Sequence, residues 1–186
     1  MIKSTTDMRR FWILTVLLLF GICVIEAQTP KQKQLESIRN EYARAKKQVD
    51  KELKGDGIQH HLTIDLNNPI DAEGEIDSSQ KLDFFFLPIG NTPRNCYFII
   101  EKATFNCNYT YRELLFDQSS GHLLFVYEHF ETDGGMTFEI RYYFDKDGTC
   151  IEEKRNVPNE WGTSQEAKEM AVRYQKIFNL IVNSDN

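Results

Sequence analysis

The sequence predicts an α+β fold, with an N-terminal helix, an antiparallel meander sheet of about six or seven strands and a C-terminal helix packed on the sheet. Three observations predict it. Apolar residues recur at three- and four-residue spacing near both ends of the chain, as in helices that bury one side. Between these segments lie short stretches in which apolar and polar residues alternate, or in which all residues are apolar, as in strands, and turn residues separate these stretches. The strands follow one another without intervening helices, which leaves no room for parallel crossovers.

Residues 1–27 have the features of an export signal. Arg9 and Arg10 precede an apolar run over residues 11–25, which is shorter than the roughly 20 residues that a membrane-spanning helix needs. Cleavage after Ala27 would leave residues 28–186, a suitable length for a single α+β domain. We therefore expect an exported protein, periplasmic or secreted, with no membrane span after cleavage.

Two other interpretations of this segment stay open. It could remain uncleaved as a membrane anchor, or Cys23 could carry a lipid, although the bulky Ile22 before it disfavours lipid attachment. The sequence also leaves open whether the chain starts at Met1 or at Met8.

The charge balance narrows the possible partners. Without the three basic and two acidic residues of the signal segment, 19 basic and 26 acidic residues remain, a net charge of −7 with neutral histidines. Nucleic acids and anionic membranes are bound chiefly through clustered Lys and Arg. The composition therefore argues against both as partners.

The first predicted helix covers Pro30 to Lys54. Its apolar residues form one narrow stripe, made of Leu35, Ile38, Tyr42, Ala45 and Val49. Packing on the sheet is the favoured interpretation, and pairing with a helix of another chain is the alternative, since so few heptads do not establish a coiled coil.

Four strands are predicted before the central hairpin. The first covers Ile58 to Leu66, the second covers Leu82 to Leu87, and two more divide the range from Cys96 to Phe116 near residues 102–108. In the third strand Cys96, Phe98 and Ile100 are expected on one side of the sheet. Residues 67–80 form an acidic, loop-like segment without the spacing of a calcium loop.

A long β-hairpin is predicted from His122 to Asp145, and the rest of the domain is organised around it. We place Gly134 and Gly135 at the centre of a two-residue turn, because both can take positive φ. Asp133 then faces Met136, and Glu128 faces Arg141. In this register three residues of the first arm, Phe125, Tyr127 and His129, share a face with three of the second, Phe144, Tyr142 and Ile140.

The chain is expected to close with a turn, a strand and a helix. Asp145 to Gly148 form the turn, and Thr149 to Lys154 form the strand. Thr163 and Glu166 have the spacing of a capping box at the start of the helix. The helix is expected to bury Ala167, Met170, Ala171, Tyr174, Phe178 and Ile181 against the sheet, with the N-terminal helix beside it.

The mature chain has an odd number of cysteines, Cys96, Cys107 and Cys150. One disulfide of three possible pairings is compatible with export, but three buried free thiols are favoured, since free Cys is among the most buried residue types.

No residue pattern indicates a catalytic site, a metal site or a cofactor. His60 and His61 are neighbours on a strand and point to opposite faces, which disfavours a shared metal ion. The cysteines lie in apolar surroundings that raise thiol pKa values, and no serine has the glycine neighbours of a nucleophile elbow.

One surface remains as a candidate site. On the second face of the predicted hairpin, Phe130 and Tyr143 lie among the charges of Glu128 and Arg141, where a solvated face should be more uniformly polar. We expect this face to dock an unknown protein or small ligand, which makes a non-catalytic binding protein the favoured function. Coverage by the protein's own loops is the alternative at that face. For the protein as a whole, an extracytoplasmic hydrolase and an envelope assembly subunit stay open, as do the ligand and the oligomeric state.

Overall fold

The computed structural model describes residues 28–57, 60–67, 78–87, 95–158 and 161–183. The predicted signal segment with Cys23, and most of the acidic loop at residues 67–80, lie outside the described residues. The chain divides into two compact units, residues 1–33 and residues 34–186.

Helix α1 spans Pro30–Leu53 and begins within the first unit. The Thr29 hydroxyl accepts a hydrogen bond from the Gln32 backbone N–H at 3.2 Å, and Gln32 Oε1 accepts one from the Thr29 N–H at 2.7 Å. This reciprocal pair is a capping box, which satisfies backbone donors that the first turn leaves without helical partners.

The second unit contains one antiparallel sheet followed by a helix. Its elements are β1 (His60–Asn67), β2 (Ser79–Phe86), β3 (Cys96–Phe105), β4 (Asn108–Phe116), β5 (Leu123–Glu131), β6 (Thr137–Phe144), β7 (Cys150–Arg155) and α2 (Ser164–Val182). The seven strands are hydrogen-bonded in their sequence order. The predicted α+β fold with its meander sheet is therefore confirmed.

Residues 34–53 of α1 and helix α2 cover opposite faces of the sheet. Leu35 and Val49 of α1 belong to a buried cluster with Phe85, whereas Phe178 of α2 packs with Phe84 on the other face. The expectation that α1 lies beside α2 is wrong. Since the middle strands are apolar on both faces, each face needs its own cover.

The central hairpin forms, but its predicted register is wrong by one residue. Asp133, Gly134 and Gly135 make a three-residue loop in which only Gly135 has positive φ, +74°. The Gly135 N–H donates to the Thr132 carbonyl at 2.8 Å. This arrangement is typical of a type I turn followed by a glycine bulge.

Relative to the second arm, the one-residue shift places each side chain of the first arm on the opposite face of the sheet from the one predicted, because side chains alternate along a strand. Tyr127 lies opposite Arg141, and Glu128 lies opposite Ile140. The predicted pairing of Glu128 with Arg141 is therefore wrong.

The cysteines also differ from expectation. Cys96, Cys107 and Cys150 are all free, but Cys96 alone is buried, and Cys107 is exposed. Cys107 occupies the β3–β4 turn with φ +62°. A bulge moves Cys96 to the face opposite Phe98, so the predicted grouping of Cys96 with Phe98 is wrong.

Helix α2 begins as the sequence predicts. Thr163 accepts from the Glu166 N–H at 3.2 Å, and Glu166 Oε2 accepts from the Thr163 N–H at 2.7 Å. Five of the six predicted apolar residues are buried, but Ile181 is 51% exposed. The predicted burial of Ile181 is therefore wrong, and in the last turn Val182 is the residue that packs against the core.

Candidate functional site

The four residues predicted to form one docking face lie on two faces. Glu128 and Phe130 project towards α2, and Arg141 and Tyr143 project towards α1. Each pair lines a separate cavity. The single docking face is therefore wrong, because it depended on the incorrect hairpin register. Whether any of these residues binds a ligand stays a prediction.

The cavity on the α1 face, here called the α1-side cavity, has a volume of about 370 Å³. Its described lining combines a helix and three strands, and consists of Arg39, Tyr42, Glu113, Phe125, Tyr127, Arg141 and Tyr143. The volume is within the range of ligand pockets, roughly 300–1,000 Å³. Predominantly aromatic walls with a few polar groups are also typical of such pockets.

Two arginines stand over tyrosine rings of this cavity. The guanidinium carbon of Arg39 lies 5.3 Å from the ring centroid of Tyr143, and that of Arg141 lies 5.2 Å from the ring centroid of Tyr127. Both distances are within cation–π range. The side chains of Arg39 and Arg141 remain 46% and 42% exposed, so their charges can be reached from solvent.

Aromatic contacts connect the helix to the sheet at the same cavity. The Phe125 ring lies 4.8 Å from the Tyr42 ring and 4.9 Å from the Tyr143 ring, measured between centroids. Phe125 is buried, whereas Tyr42 is partly exposed. Tilted aromatic pairs at these distances stabilise packing beyond the area that they bury.

A buried carboxylate, Glu113, forms part of the lining. Lys46 Nζ lies 2.5 Å from its Oε1, and the hydroxyls of Tyr42 and Tyr111 also donate hydrogen bonds to it. Burial and these bonds to Glu113 raise the pKa values of Tyr42 and Tyr111, so both hydroxyls stay protonated donors. Glu113 is thus neutralised and hydrogen-bonded within the protein.

The second cavity, on the α2 face, has a volume of about 440 Å³ and is more polar. Arg112 connects two buried carboxylates there, with Nη1 2.7 Å from Glu101 Oε2 and Nε 3.1 Å from Glu128 Oε1. The guanidinium carbon also lies 5.2 Å from the Phe130 ring centroid. Glu128 and Phe130 are therefore both partners of one arginine.

The three residues Arg112, Glu101 and Glu128 form a buried triplet, and their contacts shift the pKa values of Arg112 and Glu128. Burial lowers the pKa of Arg112, but Glu101 and Glu128 outweigh burial, and the net shift is upward. The pKa of Glu128 is raised, chiefly by burial and also by the neighbouring charges of Glu101 and Glu166, although Arg112 acts to lower it. Arg112 thus gives each carboxylate the partner of opposite charge that a buried ionic group requires. We assign them a structural role, and the α1-side cavity is the better candidate for a ligand site.

A third polar cluster bears on the hydrolase alternative. Asp83 is buried, and its Oδ1 lies 3.0 Å from His61 Nε2 and accepts from the Thr63 hydroxyl at 2.7 Å. Thr63 Oγ1 lies 3.1 Å from the same His61 Nε2. In a catalytic triad the acid and the nucleophile contact different imidazole nitrogens. The cluster therefore lacks the geometry of a triad.

Two of the three described cysteines, Cys96 and Cys150, are poorly suited to nucleophilic catalysis. Burial raises the pKa of Cys96 to about 12 and also raises the pKa of Cys150. Thiols with raised pKa values are poor nucleophiles at neutral pH.

Sequence reasoning missed Arg39, Lys46 and Glu113. Arg39 and Lys46 flank the apolar stripe of α1, where charged residues are typical of an ordinary exposed helix surface. The position of Glu113 could have been recognised as unusual, because it is a lone carboxylate two residues before Leu115 on an otherwise apolar side of β4. A charged residue in such a position indicates a buried partner of opposite charge.

The chain matches no protein-family model, no curated protein and no solved structure. Within the described ranges, no helix is long and apolar enough to span a membrane. The same part of the chain contains no group of three or more His, Cys, Asp or Glu residues that could hold a metal ion. The fold and the cavities thus define an α+β protein with a ligand-sized aromatic cavity, and further statements about function are proposals.

Proposed function

We propose that this chain is a small exported, non-catalytic binding protein that takes a ligand in the α1-side cavity. The observation that carries the proposal is the convergence of Arg39 and Arg141, both partly exposed, on one concave aromatic surface. Aromatic residues and arginines contribute most strongly to binding when they are held in such pockets. Export is supported by the basic and apolar features of residues 1–27.

The site is held in place by contacts on both sides. Arg39 pairs with Glu152 at 2.8 Å, and Arg141 pairs with Glu139 at 2.8 Å. Tyr127 also donates to Glu139 at 3.1 Å. Groups held in position before binding lose less conformational entropy when the ligand arrives. These contacts support binding as the role of the cavity.

Native mass spectrometry of protein purified gently from its own extracytoplasmic fraction tests the proposal. We expect a mature chain that begins at Gln28 and carries a non-covalent small-molecule adduct. The adduct should be lost in Arg141→Ala and retained in Arg44→Ala, because Arg44 is an exposed arginine of the same helix as Arg39 and does not line the cavity.

Four outcomes would contradict parts of the proposal. A bare chain would contradict ligand binding, and an adduct retained by Arg141→Ala would place the site elsewhere. A second protein chain in the adduct would favour the assembly-subunit alternative. A mass that includes residues 1–27 would contradict cleavage of the signal segment.

A further inference from the structure

We infer that the α1-side cavity binds a small organic anion, a carboxylate carried on a flat apolar body. This inference rests on the proposed binding function and specifies its ligand. It follows from the charge of the described lining, from the donors that the lining offers and from the shape of its walls.

Two of the three charged groups of the described lining are cationic, namely Arg39 and Arg141, and the third is Glu113. All three are ion-paired: Glu113 with Lys46 at 2.5 Å, and the two arginines with Glu152 and Glu139 at 2.8 Å. Glu139 and Glu152 are not among the described lining residues, so the charged groups that line the cavity are chiefly guanidinium groups. A cation would therefore meet two guanidinium groups, whereas an anion would be attracted by both.

The two arginines also supply hydrogen-bond donors. A guanidinium group has five N–H donors in a planar fork, and an ion pair with one carboxylate oxygen leaves others available. Arg39 and Arg141 each make one such ion pair at 2.8 Å. A carboxylate matches the geometry of the fork and can accept two parallel bonds from it. Glu113, in contrast, already accepts three hydrogen bonds, from Lys46 and two tyrosines.

The walls favour a flat apolar body behind the carboxylate. Phe125 lies between Tyr42 and Tyr143, and the Tyr127 ring lies beneath Arg141. Aromatic walls bind flat apolar groups through stacked or edge contacts. The volume of about 370 Å³ is at the small end of the range for ligand pockets. A small aromatic carboxylate fits these features.

Phenylacetate and its neutral isostere phenylacetamide are the probes, and their affinities are measured by NMR titration of the full mature chain. We expect phenylacetate to shift the resonances of Tyr127 and Tyr143 saturably and to bind at least about fivefold more tightly than phenylacetamide, since only phenylacetate is charged. Arg39→Gln and Arg141→Gln should each weaken phenylacetate binding about threefold to tenfold and leave the affinity for phenylacetamide nearly unchanged. Arg44→Gln serves as the matched control and should change neither affinity.

Equal affinity for both probes would overturn the inference and leave the proposed binding function standing. Unchanged phenylacetate affinity in both cavity variants would also overturn it. Absence of saturable shifts with either probe would overturn the aromatic carboxylate as ligand. The proposed function would then be judged separately by the native adduct, whose loss in Arg141→Ala does not depend on these probes. Backbone spectra of each variant identify any loss of fold.

Discussion

Nη1 of Arg112 lies 2.7 Å from Oε2 of Glu101, a carboxylate that is 2% exposed. The same guanidinium contacts Glu128, and Gln80 Nε2 donates to Glu101 Oε1 at 2.6 Å. One cation thus compensates two buried anions beneath α2. Without Arg112, the two buried carboxylates would repel each other and would have no cation to offset the cost of their burial.

Arg112→Met should therefore lower the free energy of unfolding by about 3–5 kcal/mol, the usual cost of breaking a buried ion pair. Urea denaturation at neutral pH measures it. Lys176→Met is the control, because Lys176 is exposed on α2 and does not line the cavity that holds Arg112, and it should change the free energy by less than about 0.5 kcal/mol. A similarly small change for Arg112→Met would contradict the structural role of the triplet.

Tyr42→Phe removes one donor from the buried carboxylate of Glu113 and retains the aromatic ring. We expect the free energy of unfolding to fall by about 1.5–3 kcal/mol, because hydrogen bonds to charged groups are stronger than neutral ones. Thermal or urea denaturation provides the measurement. Tyr109→Phe, on the partly exposed start of β4, should have little effect, and equal losses in the two variants would argue against a special role of Glu113.

The pKa of Asp117 is lowered to about 2 because it accepts hydrogen bonds from the hydroxyls and backbone N–H groups of Ser119 and Ser120. The folded pKa lies below the ordinary value of 3.8, so the carboxylate stabilises the fold above about pH 4. This contribution is lost as the pH falls towards about 2.

Asp117→Ala should accordingly cost about 1 kcal/mol at neutral pH, after allowance for the partial exposure of the turn. The difference from the original protein should shrink as the pH is lowered from about 4 to about 2. Denaturation across this pH range tests both statements. A difference in the free energy of unfolding that is independent of pH would show that the turn is stabilised without the carboxylate's charge. Asp133→Ala, which removes a carboxylate at an exposed loop position, is the control.

Gly135→Ala tests the corrected hairpin register. Gly135 has φ +74°, a conformation that alanine adopts with strain, so the free energy of unfolding should fall by about 1 kcal/mol. Gly134 is not among the positive-φ residues, and a Cβ there would meet its nearest atom, Thr132 Oγ1, at 3.9 Å. Gly134→Ala should therefore be nearly neutral. Equal losses would instead support the two-residue turn.

Phe178→Ala should lower the free energy of unfolding by about 3–5 kcal/mol, because it leaves a cavity beneath α2 where the ring contacts Phe84 and Phe86. Phe178 is 1% exposed. Ile181→Ala, three residues further along the helix, should cost less than about 0.5 kcal/mol, because Ile181 is 51% exposed. Calorimetry or denaturation of both variants measures the contrast, and a large loss in Ile181→Ala would contradict the described end of the helical core.

Part of the candidate site could be predicted from the sequence. The two-residue spacing of Arg141 and Tyr143 predicts that they are neighbours on one strand face, and they are. Their partners were not predictable, because Arg39 and Glu113 are distant in sequence and meet only when α1 docks on β4 and β5. Glu128 and Phe130 were assigned to the same site through a register that was wrong by one residue.

Local sequence patterns are enough to establish the order and type of the helices and strands, because hydrophobic period, capping residues and turn residues act over a few neighbouring positions. The capping box of Thr163 and Glu166 and the meander of strands are local in this sense. Three features are visible only in the folded chain: the hairpin register, the placement of the helices on opposite faces, and the pairing of Arg112 and Lys46 with buried carboxylates. Those features depend on which distant side chains meet, and a one-residue shift in one turn is enough to exchange the faces that carry them.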